Sequence, residues 1–168
     1  MNLNTLVKKA GQSQFYLWLL NMALWRAVPF NGPHRFLITK IGKGHVSIKL
    51  PYIRKNKNHI NGIHACALAT VCEYATGLCI TTSISEKDFR IILKSIHMDY
   101  HYQGKTDLFL NFSLEEQVTE KEILQPLQTS DAILIKLKPE VFDENQNHIC
   151  TGTIEWQVKK WKDVRTKL

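Results

Sequence analysis

"NHINGIHACALATVCEYATGL", residues 58–78, decides the reading of this 168-residue chain. From His64 onward it is a run of alanines and cysteines with Leu68, Val71 and Tyr74, and apolar side chains fill nearly every helical position. A helix that is apolar all round is a buried helix, and its small residues let neighbouring backbones approach closely. The pattern predicts a central helix over 64–78, with Gly77 as the stop near its C-terminus. One carboxylate, Glu73, interrupts the run. No Asp or Glu precedes it in the chain, and the next is Glu86.

The segments on either side alternate instead. "RFLITKI" and "HVSIKLPY" read as a first hairpin over 35–52, turning at Gly42 and Gly44, with Val46, Ile48 and Leu50 on one face. After the helix, "DFRIILKSIHMDYHYQG", "TDLFLNFSL", "AILIKLKP" and "NHICTGTIEWQVKKW" read as the remaining strands, over 88–158. The charged stretch 115–131 reads as an overlong connector, and "FDENQNH" (142–148) as a turn. Strands joined by turns pair antiparallel, so the fold class is α+β. The expectation is about six strands in one curved antiparallel sheet wrapped around the central helix, as a single domain over 1–168.

The N-terminal stretch, 1–27, reads as a helix ended by Pro29. Two lysines followed by an apolar run resemble a secretory leader, but no small-residue cleavage site follows. The uncharged stretch Ala10–Trp25 is short for a transmembrane span, and Gln12, Ser13, Gln14 and Asn21 make it too polar. The periodic set Phe15, Leu19 and Met22 with Trp18 and Trp25 predicts a docking helix, packed on the domain or lying on a membrane surface.

Charge is unevenly spread. Residues 1–85 carry ten Lys/Arg and one acid, whereas residues 86–168 carry twelve Lys/Arg and fourteen acids. The first half is a basic surface suited to anions. Its cations are scattered and lack an aromatic–basic motif, which argues against nucleic acid as a partner. The four cysteines, Cys66, Cys72, Cys79 and Cys150, form no CxxC pair. The first three read as small buried residues of a reducing, cytoplasmic compartment. There is no P-loop, GxGxxG, GxSxG or HExxH, and no His/Cys/Asp/Glu set has zinc spacing, so neither metal nor cofactor is expected.

Candidate chemistry gathers around the central helix. Burial in an apolar helix raises a carboxylate's pKa and makes Glu73 a candidate general base; alternatively it faces solvent or pairs at a subunit contact. The first-turn N–H groups at His64, Ala65 and Cys66 have no intrahelical acceptor and form a ready anion site. His64 is a ligand, a base or simply a cap. Asn58 and Asn61 orient a water or a carbonyl, or only form turns. Arg54, Lys55 and Lys57 are a solvated loop or a phosphate grip.

The order Asn58, His64, Glu73 resembles the PaaI-like branch of the hotdog-fold thioesterases, which carries Asn, then HGG, then a helix Asp or Glu. "LWRAVPFNG…ITKIGKGHVSIKLPYIRKNKNHINGIHACAL" and "SIHMDYHYQGKTDLFL" are similar to a subgroup of that superfamily, the domain-of-unknown-function 4442 family, over roughly 20–158. The resemblance implies a hotdog domain, paired as a homodimer or dimer of dimers with active sites at the interface. It implies acyl-CoA or acyl-carrier substrates and thioester hydrolysis, with acyl-CoA binding without hydrolysis as the alternative. Glu73 would then be the catalytic carboxylate, Ala65 and Cys66 the oxyanion donors with His64 beside them, and Asn58 an orienting group. Arg54, Lys55, Lys57, Asn61 and Gly62 would bind substrate. Ala65 and Cys66 stand where the family has two glycines. The backbone N–H groups survive that change, but two side chains now crowd the carbonyl.

Overall fold

A computed structural model describes residues 3–85 and 87–164; Met1, Asn2, Glu86 and the last four residues of the expected 1–168 domain lie outside the described residues. The central run forms α3, Ala65–Ser83, which runs five residues past its predicted end. Gly77 does not stop it. An added Cβ at Gly77 would lie 3.1 Å from the Trp156 indole, so this glycine lets the ring lie against the helix backbone. Trp156 Nε1 donates to Thr76 Oγ1 at 2.9 Å, which fixes the ring in place. The helical hydroxyls satisfy themselves in turn. Thr70 donates to the Cys66 carbonyl, Thr76 to Cys72, Thr81 to Gly77 and Ser83 to Cys79. That is how a helix with polar side chains can sit inside an apolar wrap.

Seven strands surround α3: β1 (Leu37–Gly42), β2 (His45–Leu50), β3 (Phe89–Tyr100), β4 (Leu108–Ser113), β5 (Ala132–Leu137), β6 (Glu140–Asp143) and β7 (His148–Lys160). All pairings are antiparallel. The sheet order is β1-β2-β4-β6-β7-β3, and β5 pairs with the far half of β7. β6 is the strand beyond the expected six, formed by residues 140–141 and the start of the segment read as a turn. The β1–β2 hairpin turns at Gly44, whose φ of +65° and contact with the Leu114 carbonyl admit only glycine. The connector is not an extended loop. It winds as α4 (Glu116–Thr119), a five-residue π turn (Glu120–Leu124) and α5 (Pro126–Thr129), burying Ile123 and Leu127.

The concave face of the sheet and α3 share one connected core, including Ile48, Leu50, Leu68, Val71, Leu110, Ile154 and Val158. The predicted N-terminal helix is two helices, α1 (Leu3–Ala10) and α2 (Gln14–Ala27), broken at Gly11. α2 lies along β1 and closes that edge of the sheet. Buried Asn21 donates to the Ile38 carbonyl at 2.9 Å and accepts from the Ile38 N–H at 2.8 Å, as a neighbouring strand would. A bulge beside Ile38 further spoils β1 as a pairing edge. The opposite edge, β3, is twelve residues long and open, with Ile92, Ile96 and Tyr100 exposed.

Candidate active site

The loop before α3 is built on Asn56, a residue with no local sequence signal. Fully buried, its Nδ2 donates to the His34 and Pro51 carbonyls, both at 2.9 Å, and its Oδ1 meets His34 Nδ1. Its carbonyl accepts the His64 N–H at 2.8 Å, which sets the start of the helix. Asn58 then folds an Asx turn: its Oδ1 accepts from the Ile60 and Gly62 N–H groups at 3.1 and 2.9 Å. Asn61 takes a left-handed φ of 58°, and its carbonyl accepts the Tyr52 hydroxyl. Gly62 is buried beneath Gln103, whose side chain leaves no room for a Cβ.

His64 is the N-cap of α3. Its Nδ1 accepts the Cys66 N–H at 3.1 Å, so this ring carries its proton on Nε2 and occupies one of the predicted oxyanion donors. The Ala65 N–H has no acceptor among the described residues. Ala65 lines a groove of about 290 Å³ with Asn58, Ile63, Leu68 and residues 100–104, at the end of β3 and in the crossing from β3 to β4. Tyr100 spans it, donating to the Ala65 carbonyl at 3.2 Å. Tyr100, His101, Tyr102 and Gln103 were not among the predicted site residues. Their segment follows the helix in the chain, and only the folded sheet brings it to the helix N-terminus.

Glu73 lies on the one open stripe of the first three turns of α3. Ala65, Cys66, Ala69, Thr70, Glu73 and Gly77 escape full burial there, while Leu68, Val71, Cys72, Ala75 and Thr76 are inside. Half-buried, the Glu73 carboxyl is pushed above the usual carboxylate range by desolvation. No cation or hydrogen-bond donor meets it among the described residues. Cys66 is exposed on the same stripe, against the expectation that it is a buried packing residue. Cys72, Cys79 and Cys150 are buried. Burial pushes the Cys79 thiol up to about 12, and the Cys150 thiol beside Cys72 raises that group as well.

The predicted phosphate grip divides. Arg54 and Lys55 are exposed on a short 3-10 turn, Arg54–Asn56. Lys57 instead stacks its ammonium 3.5 Å over the Tyr52 ring. The structure therefore gathers Asn58, Asn61, Gly62, His64, Ala65 and Cys66 at one end of α3, and does not bring Glu73 of the same chain to them. Ala65 and Glu73 are eight residues apart on one helix, about 12 Å along its axis at 1.5 Å per residue. Among the described residues, no group of three or more His, Cys, Asp or Glu side chains could hold a metal ion.

No curated protein matches the sequence. Among solved structures, a Pseudomonas aeruginosa protein of unknown function, PA5026, described as a probable thioesterase, superposes with a TM-score of 0.75 at 19% identity, covering 81% of this chain and 90% of that one. The Haemophilus influenzae thioesterase HI1161 gives 0.63 at 12% identity, covering 86% and 90%. The E. coli PaaI protein, from the phenylacetic acid degradation operon, gives 0.60 at 10% identity, covering 83% and 91%. At these identities the likeness is one of fold, and the fold is the hotdog expected from the sequence. The family model described as domain of unknown function DUF4442 matches residues 17–158, and the chain belongs to that family.

Proposed function

We propose that this protein hydrolyses acyl thioesters, of CoA or of an acyl carrier, at a site shared between two copies of the chain. The observation that carries the reading is Glu73: a half-buried, unpaired carboxylate with a raised pKa, on the open stripe of an otherwise apolar core helix. Such a group takes a proton from water near neutral pH, or attacks the thioester carbonyl itself. The negative charge that develops on the carbonyl oxygen is held by N–H groups at the start of α3. Ala65 offers one directly, and Cys66 offers a second once His64 turns away. The Asn58 amide, on the wall of the groove, orients the water or the carbonyl.

Reacting atoms must come within about 3–3.5 Å, and the 12 Å between Ala65 and Glu73 forbids that within one copy. An isologous pair solves the problem, because each helix start meets the other copy's carboxylate. The open β3 edge supports such pairing, since a long strand with unpaired N–H and C=O groups is a template for a second strand. Arg54 and Lys55, exposed on the 3-10 turn that leads into the loop before α3, attract the phosphates of CoA.

A second reading, acyl-CoA binding without hydrolysis, is favoured by one contact: His64 already occupies the Cys66 N–H. The two are separated by incubating the protein with a panel of acyl-CoA chain lengths and a thiol reagent. Thiol release that Glu73→Gln abolishes supports hydrolysis. Saturable binding of acyl-CoA with no release supports the binding protein and refutes the enzyme.

A further inference from the structure

α2 is apolar on two sides. Leu17, Leu20 and Leu24 face inward and are buried. Phe15, Trp18 and Met22, at 63%, 58% and 42% exposure, form a second stripe on the outer side at spacings of three and four. Phe15 and Trp18 stack on each other, and Phe30, just past the end of the helix, is 69% exposed. Helices apolar all round belong in interiors, yet this one lies at the surface.

The charges around the stripe select the occupant. Lys9 sits over the Tyr16 ring, which meets Phe15 edge-on. Arg26, one turn beyond Met22, continues the stripe, and Arg35 lies over Trp25. Lys8 is exposed beside Lys9. No acid lies anywhere in the first 72 residues. A second copy on this face would bring these cations against their own images, which is repulsive. An anionic surface is attracted instead. α2 has 14 residues, about 21 Å, and cannot cross a hydrocarbon core of about 30 Å. Aromatics on one face of such a helix with cations at its flanks fit the lipid–water boundary.

We infer that the outer face of α2 docks the protein on an anionic lipid leaflet, with Phe15, Trp18, Met22 and Phe30 inserted among the acyl chains and Lys8, Lys9, Arg26 and Arg35 at the headgroups. The contact is independent of the reaction proposed above and is measured without substrate. The test uses the full chain and large unilamellar vesicles of phosphatidylcholine, with or without about one third phosphatidylglycerol, read by co-sedimentation. Wild type sediments with the anionic vesicles and not with the neutral ones. Lys8→Gln with Lys9→Gln weakens partitioning roughly fivefold per cation removed. Phe15→Ser with Trp18→Ser weakens it at least as much. Lys138→Glu, across the sheet from β1, leaves it unchanged. Brominated lipid quenches wild-type tryptophan emission, and Trp18→Phe loses most of that quenching, a readout that does not depend on the serine variant folding. Failure to bind anionic vesicles overturns the inference, as does binding indifferent to the serine changes. It is also overturned if the serine variant becomes a smaller oligomer in sedimentation velocity, because a second copy then covers the face.

Discussion

Replacing Ala65 with proline removes one hydrogen-bond donor and almost nothing else. Ala65 is the first residue of α3, where proline is tolerated because the N–H it lacks has no intrahelical partner. His64 before it has φ −68° and ψ 138°, the extended conformation that residues preceding proline adopt. Ala65 is exposed, so the ring meets open space. Fixing the unfolded chain at a compatible site stabilises by about 0.4–1 kcal/mol, and the thermal midpoint should hold or rise slightly. If the Ala65 N–H holds the oxyanion, its loss lowers kcat by about 10²–10³, about 2.7–4 kcal/mol in the barrier. The same variant tests whether the site is shared. Co-expressed with Glu73→Gln under a second tag and purified as the mixed dimer, it leaves one site with both defects and one with neither. That dimer should show about half of wild-type activity, while each parent variant is nearly inactive. Wild-type turnover by Ala65→Pro refutes the donor's role. An inactive mixed dimer refutes the division of the site between chains.

Glu73→Gln should abolish hydrolysis and raise stability, by an amount that depends on pH. A folded-state pKa above the unfolded value means the native protein holds the extra proton, so stability falls as pH rises from the ordinary carboxylate range through the raised pKa. The variant's advantage in thermal midpoint is therefore full above that window and gone below about pH 4; an equal advantage at both ends would show that desolvation of Glu73 is not its source. Arg54→Glu with Lys55→Glu should raise KM for CoA thioesters, leave kcat nearly unchanged and spare a short thioester without the nucleotide. Gly77→Ala should lower stability by about 1 kcal/mol in chemical denaturation, because overpacking of about 1–3 kcal/mol exceeds the helix-propensity gain of about 1 kcal/mol, and Trp156 is held by Thr76 and cannot yield.

The core helix and the first hairpin were legible because composition and alternation report burial directly. Gly77 was not, because a glycine in a helix signals a stop or a close contact equally well, and the indole that decides between them comes from β7. β6 is four residues long and exists through its pairing with β4 and β7. Asn21 reads only as a polar interruption and Asn56 carries no local signal, since their meaning lies in partners on other elements. Of the candidate site, Asn58, Ala65, Cys66 and Glu73 stand out in the sequence because they lie on one helix and its lead-in loop. The contact of Lys57 with the Tyr52 ring, five residues earlier, carries no signal in the sequence.

The order of elements also sets a clock. α3 has the length and composition of a membrane-crossing helix, yet β3, β4, β6 and β7, which help to wrap it, all follow it in the chain. About 75 residues separate the end of α3 from the end of β7. At translation speeds of about 5–20 residues per second, a nascent chain carries this helix without its later strands for roughly 4–15 s. Its hydroxyls, already bonded to its own carbonyls, make it no less oily while it waits. During that interval the helix competes for chaperones and for membrane-insertion machinery, and the arrival of β7 ends the contest.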